Sequence, residues 1–226
     1  MADLIIIGFF FLLRPGERAY TKENNHPFRL QDVSFDTSSG TNNAVLITAA
    51  ALQTAVKVHL NFTTQKNGIP NEAISHGDSS DPLLLPLKAV RRRVFHLQQA
   101  GAPPDTPLYT VCQSNGTSKR VTSSDLTKAL RRSCAAIGST IGLNYNDISA
   151  RALRAGGAMA LLRAKIDPAT MRMVGRWQSW AMLEYLHRTA LNTDDFAERM
   201  LTHGRFRITT HEFLPDDVLP LVASML

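Results

Sequence analysis

Residues 2 to about 13 are apolar almost all round, broken only by Asp3, a pattern that suits a helix surrounded by protein. Pro15-Gly16 follows and interrupts it, which leaves Arg14 at the end of a rigid element. Arg29 to Phe35 and Val56 to Thr64 alternate β-branched or aromatic residues with polar ones. With Glu72 to His76 and the intervening Lys66-Asn67-Gly68, the second run predicts a hairpin carrying Lys66 at its tip, because Asn-Gly favours the positive φ of tight turns. Thr37 to Asn43, rich in Ser, Thr, Gly and Asn, reads as a loop. His76 to Asp81 reads as a polar connection into a helix that opens near Pro82 and runs through Arg91-Arg92-Arg93 to about Ala100. Gly101 to Pro107 is too rich in glycine and proline for a regular element.

The second half is helical in pattern. Ser124 is placed to cap a helix whose apolar stripe is Leu126, Leu130, Cys134, Ile137 and Ile141. A helix over 148 to 165 carries Leu153, Met159, Leu161 and Leu162 and contains Gly156-Gly157, a costly pair unless another backbone or a ligand comes close. Asp167-Pro168 combines a cap with proline at the first helical position, so a short helix runs to about Gly175. Ser179 can cap the next, with Tyr185 about two turns in. Asp194 to His203 and Asp216 to Met225 read as two further short helices joined by 204–215, and no internal repeat is evident. The expected class is α+β, mainly α, with a small antiparallel sheet.

The 226 residues are 44% hydrophobic, enough for one large domain. The net charge of +6 favours a polyanionic partner, and it is concentrated: between Lys119 and Arg188 there are twelve Lys and Arg against four Asp and Glu. Nucleic acid is the expected partner, though Arg131, Arg132 and Arg163 are also ordinary solvated helix residues. Cys112 and Cys134 have no CxxC spacing and suggest neither zinc nor a disulfide framework; His59 and His96 lack metal-ligand partners at useful spacing, and no cofactor or metal is expected. An intracellular location follows weakly from the cysteines. The ten-residue run Leu4 to Leu13 is shorter than the roughly 20 residues that span a bilayer, and lacks a small-residue cleavage site, so it reads as neither anchor nor signal.

The chemistry is carried by Arg151-Ala-Leu-Arg154, Gly175-Arg176-Trp177 and Tyr185. Planar guanidinium groups donate paired hydrogen bonds to phosphate oxygens, and a phenol can attack the phosphorus without a metal. With Leu13-Arg14-Pro-Gly-Glu17 and Lys66, these residues resemble the catalytic domain of the tyrosine recombinases, the integrase family, over roughly residues 2 to 190. Arg14 matches the family's first arginine and Glu17 its acidic companion; Arg151 to Arg154 matches the box His-x-x-Arg and Gly175-Arg176-Trp177 the box Gly-His/Trp. Tyr185 stands nine residues after Arg176, as in the family. The wording Ala-Leu-Arg-Ala-Gly-Gly-Ala and Gly-Arg-Trp is also similar to recombinases of Crypton-type transposons.

The resemblance implies the integrase catalytic-domain fold and strand exchange on double-stranded DNA, for recombination or mobile-element integration, by a tetramer and with no membrane or small-molecule partner. Tyr185 attacks the scissile phosphate to give a 3′-phosphotyrosyl linkage and a 5′-hydroxyl. Arg14 and Arg154 hold the nonbridging oxygens, and Lys66 protonates the leaving oxygen. Glu17 orients Arg14 or the fold around it, or is a surface acid. Two departures stand out. Arg151 occupies the usual histidine position and cannot accept the tyrosine's proton, which leaves the base unassigned. Arg176 takes the place of the second His or Trp, so either it or Trp177 faces the phosphate.

The resemblance also implies an N-terminal helical clamp, and the chain starts almost at the first arginine; an excised catalytic fragment or a clamp on another chain would account for that. Residues 191 to 226 form the expected C-terminal tail, its apolar face of Val218, Leu219, Leu221, Val222 and Leu226 docking on a neighbouring subunit or on its own domain. His187 reads as a packing or surface residue. A nuclear location follows if the source is eukaryotic. Two other readings remain: a degenerate DNA-binding protein that keeps the fold without turnover, favoured by Arg151, and a type IB topoisomerase, which acts without paired sites.

Overall fold

The apolar N-terminal run becomes α1 (Ala2–Phe10), with Leu4, Ile6, Ile7 and Gly8 buried. In this computed structural model the described residues are 1–19, 27–63, 72–137, 142 and 144–185, the side chains of Trp180, Glu184 and Tyr185 excepted. All of them belong to one compact unit, Met1–Ala190. The expected helices at 194–203 and 216–225, with the tail they form, lie outside the described residues, as do His187 and Ile141.

The class is α+β, mainly helical, with a four-stranded antiparallel sheet in the order β2-β1-β3-β4 and a separate two-stranded hairpin. The main sheet is made of β1 (Val33–Thr37), β2 (Gly40–Asn43), β3 (Lys57–Phe62) and β4 (Glu72–His76). Register pairs Val33 with Leu60, Phe35 with Val58 and Leu60 with Ile74, so one face is apolar and buried. That alternation is why β3 and β4 are legible from period two. Onto this face pack α1 and α4 (Pro86–Gln99), whose Leu87, Val90, Val94 and Leu97 form the buried stripe.

Several boundaries differ from the pattern. Thr37 to Asn43 is no loop: it turns through Gly40 at φ 109 into β2, an edge strand held by side-chain bonds such as Thr41 Oγ1 to Asp36 at 2.6 Å. Polar, solvent-facing edges carry no apolar period, so they are invisible to it. The strand expected from Arg29 starts only at Val33, because Asp32 accepts the Arg29 N–H at 2.9 Å and closes a 3₁₀ turn. The helix expected at Pro82 starts at Pro86, since Asp81 captures the N–H groups of Leu83 and Leu84 first. Two elements had no sequence signal: α3 (Ala49–Thr54), capped by Thr48, and the hairpin of β5 (Thr110–Cys112) and β6 (Ser118–Arg120).

Further on, α5 (Ser123–Ile137) is capped by Thr122 instead of Ser124: Thr122 Oγ1 accepts from Asp125 N–H and Asp125 accepts from Thr122 N–H, a reciprocal box. Its stripe is buried at Leu126 and Cys134, whereas Ile137 is exposed. The helix expected over 148 to 165 is shorter, α6 (Ala152–Arg163), because Tyr145–Asp147 forms a 3₁₀ turn and Arg151 is the N-cap. Next comes α7 (Pro168–Gly175), started by Asp167 accepting from Thr170 N–H at 2.9 Å as its spelling demands. The segment after Ser179 is 3₁₀ and not α, Trp180–Tyr185. Both cysteines are free, and no helix among the described residues is long and apolar enough to cross a membrane.

Candidate active site

Three helices end in the same way. In α1 the Leu13 N–H reaches Gly8 O and the Leu12 N–H reaches Phe9 O; α6 repeats this at Lys165 and Ile166, and α7 at Arg176 and Trp177. This pair of hydrogen bonds is the Schellman stop, which needs a left-handed residue usually supplied by glycine. Here the position is filled by Leu12 (φ 48), Lys165 (φ 59) and Arg176 (φ 55), the non-glycine residues of positive φ among those described. Such strain costs about 1–3 kcal/mol per residue and persists only where surroundings over-determine it. Two of the three, Leu12 and Arg176, meet: Arg176 Nη2 donates to Leu12 O at 3.4 Å.

The site is built around that meeting. The stop ends α1 at Phe10, not at Leu13 as the apolar run suggested, and Arg14 becomes the N-cap of α2 (Pro15–Arg18). Glu17 closes this short turn by accepting the Arg14 N–H at 2.7 Å and its Nη1 at 3.3 Å. Its Oε2, which accepts the Arg14 N–H, also takes Arg176 Nη2 at 2.8 Å, across 159 residues of chain. Arg14 Nη2 in turn donates to Arg176 O at 2.8 Å. Glu17 is therefore shared by two guanidinium groups and orients both.

Arg154, on α6, donates from Nη1 to Leu12 O and from Nη2 to Gly175 O at 2.5 Å. Its guanidinium also lies over the Trp177 ring, 4.4 Å from the centroid. Gly175 permits this: a Cβ there would overlap the Trp177 ring, so only glycine lets the indole fold back across the end of α7. Arg176 stacks on the Phe62 ring at 3.7 Å and reaches Phe11 O and Val174 O. Burial pulls its pKa down to about 10, with Glu17 opposing and Arg14 reinforcing the fall, so it stays charged at neutral pH.

The cations thus sit at the C-terminal ends of α1 and α7, where unpaired carbonyls gather the negative pole of each helix. Helix α1 has no basic residue in its last turn, whereas α7 has Arg172 there and Arg176 as its C-cap. His76 completes the set, its Nε2 lying 2.9 Å from Phe10 O, and burial lowers its pKa.

Of the residues singled out from sequence, Arg14, Glu17, Arg154, Arg176 and Trp177 come together. Arg154 and Arg176 are 4% and 3% exposed, while the Arg14 side chain is 24% exposed and has spent only two of its five donors. Trp177 is buried under Arg154, and Arg176 under Phe62 and Glu17. Arg151 is exposed at the start of α6. Lys66 lies outside the described residues, and for Tyr185 the backbone alone is described, at the end of its 3₁₀ turn. His59 pairs with Asp36 at 2.9 Å and His96 accepts the Cys112 N–H at 3.0 Å. Sequence reasoning missed His76 and Arg18; the one available hint for Arg18 was its place one helical turn after Arg14.

No protein-family model matches this sequence, and neither does any curated protein. Among solved structures the chain is similar to the Tn1549 transposon integrase in complex with circular intermediate DNA, at a TM-score of 0.45 and 16% identity. The alignment covers 88% of this chain and 56% of that one, so this chain spans little more than half its length.

Proposed function

We propose that this chain breaks and rejoins DNA strands as a tyrosine recombinase, serving recombination or the integration of a mobile element. The observation that carries the reading is the gathering of Arg14 and Arg176 on Glu17, with Arg154 tied to the Leu12 carbonyl that Arg176 also reaches, from elements as far as 162 residues apart. Three guanidinium groups against the carboxylate of Glu17 and, at longer range, that of Glu72 leave the cluster with an excess of positive charge, the electrostatic requirement for a phosphoryl centre gaining charge. Arg14, the most exposed of the three, is the group best placed to meet the nonbridging oxygens.

In the step itself the Tyr185 phenol gives up its proton to water, since Arg151 cannot accept it, and its oxygen forms a bond to phosphorus as the bond to the 5′-oxygen breaks, leaving a 3′-phosphotyrosyl linkage. Lys66 supplies the proton that the departing 5′-oxygen takes up. Rejoining is the reverse, so neither ATP nor metal enters the balance. The partner is duplex DNA, with binding that weakens steeply as salt rises, and the working assembly is an oligomer on paired sites. The finer likeness to Crypton elements is part of the same proposal.

A nicked suicide duplex tests this. A covalent protein–DNA adduct that forms with the natural chain and disappears in Tyr185→Phe supports strand breakage. A second reading, a DNA-binding protein without turnover, is favoured by the burial of Arg154 and Arg176 against backbone carbonyls and by arginine at position 151. It predicts salt-sensitive duplex binding and no adduct from the same experiment.

A further inference from the structure

Arg18 is fully buried, at 0% exposure, yet neither of its Nη atoms has a hydrogen-bond partner among the described residues. Its Nε reaches only Arg14 O, at 3.4 Å. No carboxylate among the described residues pairs with it; Glu17 acts on it only through space, and the buried Tyr109 phenol, its pKa raised by burial, keeps its proton and donates to Leu4 O at 2.6 Å. Desolvation accordingly lowers its pKa.

Room for it is made deliberately tight. A Cβ on Gly8 would stand 2.9 Å from Arg18 Cδ and 3.2 Å from its Nη1, with Leu153 Cδ1 at 3.1 Å. Alanine at position 8 would therefore collide with the guanidinium stem. A glycine inside a helix and an unpartnered buried cation are each destabilising. Arg18 and Leu153, the neighbour of Arg154, approach the same Gly8 on α1, and the Arg18 Nε faces the Arg14 carbonyl.

We infer that Arg18 is a positioning residue whose buried charge, one helical turn after Arg14 and without a paired carboxylate among the described residues, raises the affinity of this site for a phosphate group while lowering the stability of the empty fold. The inference rests on the phosphate-binding reading above. A unit charge about 10 Å from an anion, at an effective dielectric of about 20, changes affinity on the order of tenfold. Replacing a buried ion by an apolar side chain of similar volume is neutral or stabilising when the ion has no partner to lose.

The test uses the full chain and its Arg18→Met and Arg18→Lys variants. Melting is followed with and without inorganic phosphate, and adduct formation is measured on the suicide duplex. Arg18→Met is expected to melt at or above the natural chain and to bind phosphate about tenfold more weakly, whereas Arg18→Lys, which keeps the charge, retains most of the phosphate response. Unchanged phosphate binding in Arg18→Met overturns the inference, and so does a lower melting temperature, which would mark Arg18 as a packing element alone. A natural chain that binds phosphate without forming an adduct removes the strand-breaking reading and leaves Arg18 to be judged by the two variants. A natural chain indifferent to phosphate removes both.

Discussion

Leu60 on β3 and Arg176 beyond α7 are both almost completely buried, but they are held by different physics. Leu60 sits between its cross-strand neighbours Val33 and Ile74 in a contiguous apolar layer. Its stability is non-directional and scales with area removed from water. Arg176 is kept by specific acceptors, namely the carbonyls that α1 and α7 leave unpaired and the carboxylate of Glu17. Phe62 belongs to both regions: its ring meets Phe28 edge-on at 4.6 Å and carries the Arg176 guanidinium at 3.7 Å. The sheet can therefore lose volume and adapt, whereas the arginine side fails when one partner is removed.

The largest effect should come from Glu17→Gln, which leaves Arg176 buried without its counter-charge and loosens Arg14 at once. Breaking such a pair costs about 3–5 kcal/mol, read by denaturant unfolding; adding Arg176→Met should return part of that loss, and a strictly additive double mutant would contradict the coupling. On the sheet side Leu60→Ala is expected to cost about 3 kcal/mol through lost burial and a cavity. It should leave phosphate binding intact, and a loss there would merge the two regions.

Gly157 and Gly156 offer a matched pair where α6 crosses α1. A Cβ on Gly157 would overlap Leu12 and lie 2.5 Å from Phe9 O, so Gly157→Ala should destabilise by about 1–3 kcal/mol and spread the arginine cluster. On Gly156 the nearest atom, Phe9 Cε2, is at 3.4 Å. That substitution should be close to neutral or gain up to about 1 kcal/mol of helix propensity. Equal melting temperatures for the two variants would mean that the crossing is not as tight as drawn.

The smallest effect is one of pH. Burial lowers the His76 pKa, so the unfolded chain takes up a proton near pH 6.5 that the folded chain does not. Stability is then full above that pH and falls as pH drops through 6 toward 5. His76→Gln, which retains a donor for Phe10 O but does not titrate, should show a shallower fall in melting temperature over the same range.

Elements whose information is local were legible from the chain. Strands β3 and β4 alternate with period two, α7 opens on Asp167-Pro168, and Gly156-Gly157 announces a close approach that Phe9 and Leu12 supply. Elements whose information is not apolar were missed: β2 is a polar edge, and α1 is cut short by a left-handed leucine that no propensity would place there. The candidate site was legible as a set of residue types but not as an arrangement. Nothing in the spelling of Gly175-Arg176-Trp177 says that the arginine turns inward to Glu17, or that the indole lies under Arg154.

Residue order and spacing were enough to establish a mainly helical α+β chain, rich in cations over its second half and equipped with guanidinium groups near a tyrosine. Which of those cations are buried, which carboxylate two of them share and which one stays partly exposed was settled by folding. The physical reason is that their partners are backbone carbonyls at the ends of α1 and α7, identical along every chain until the packing of α1, α6 and α7 leaves these particular ones without a mate.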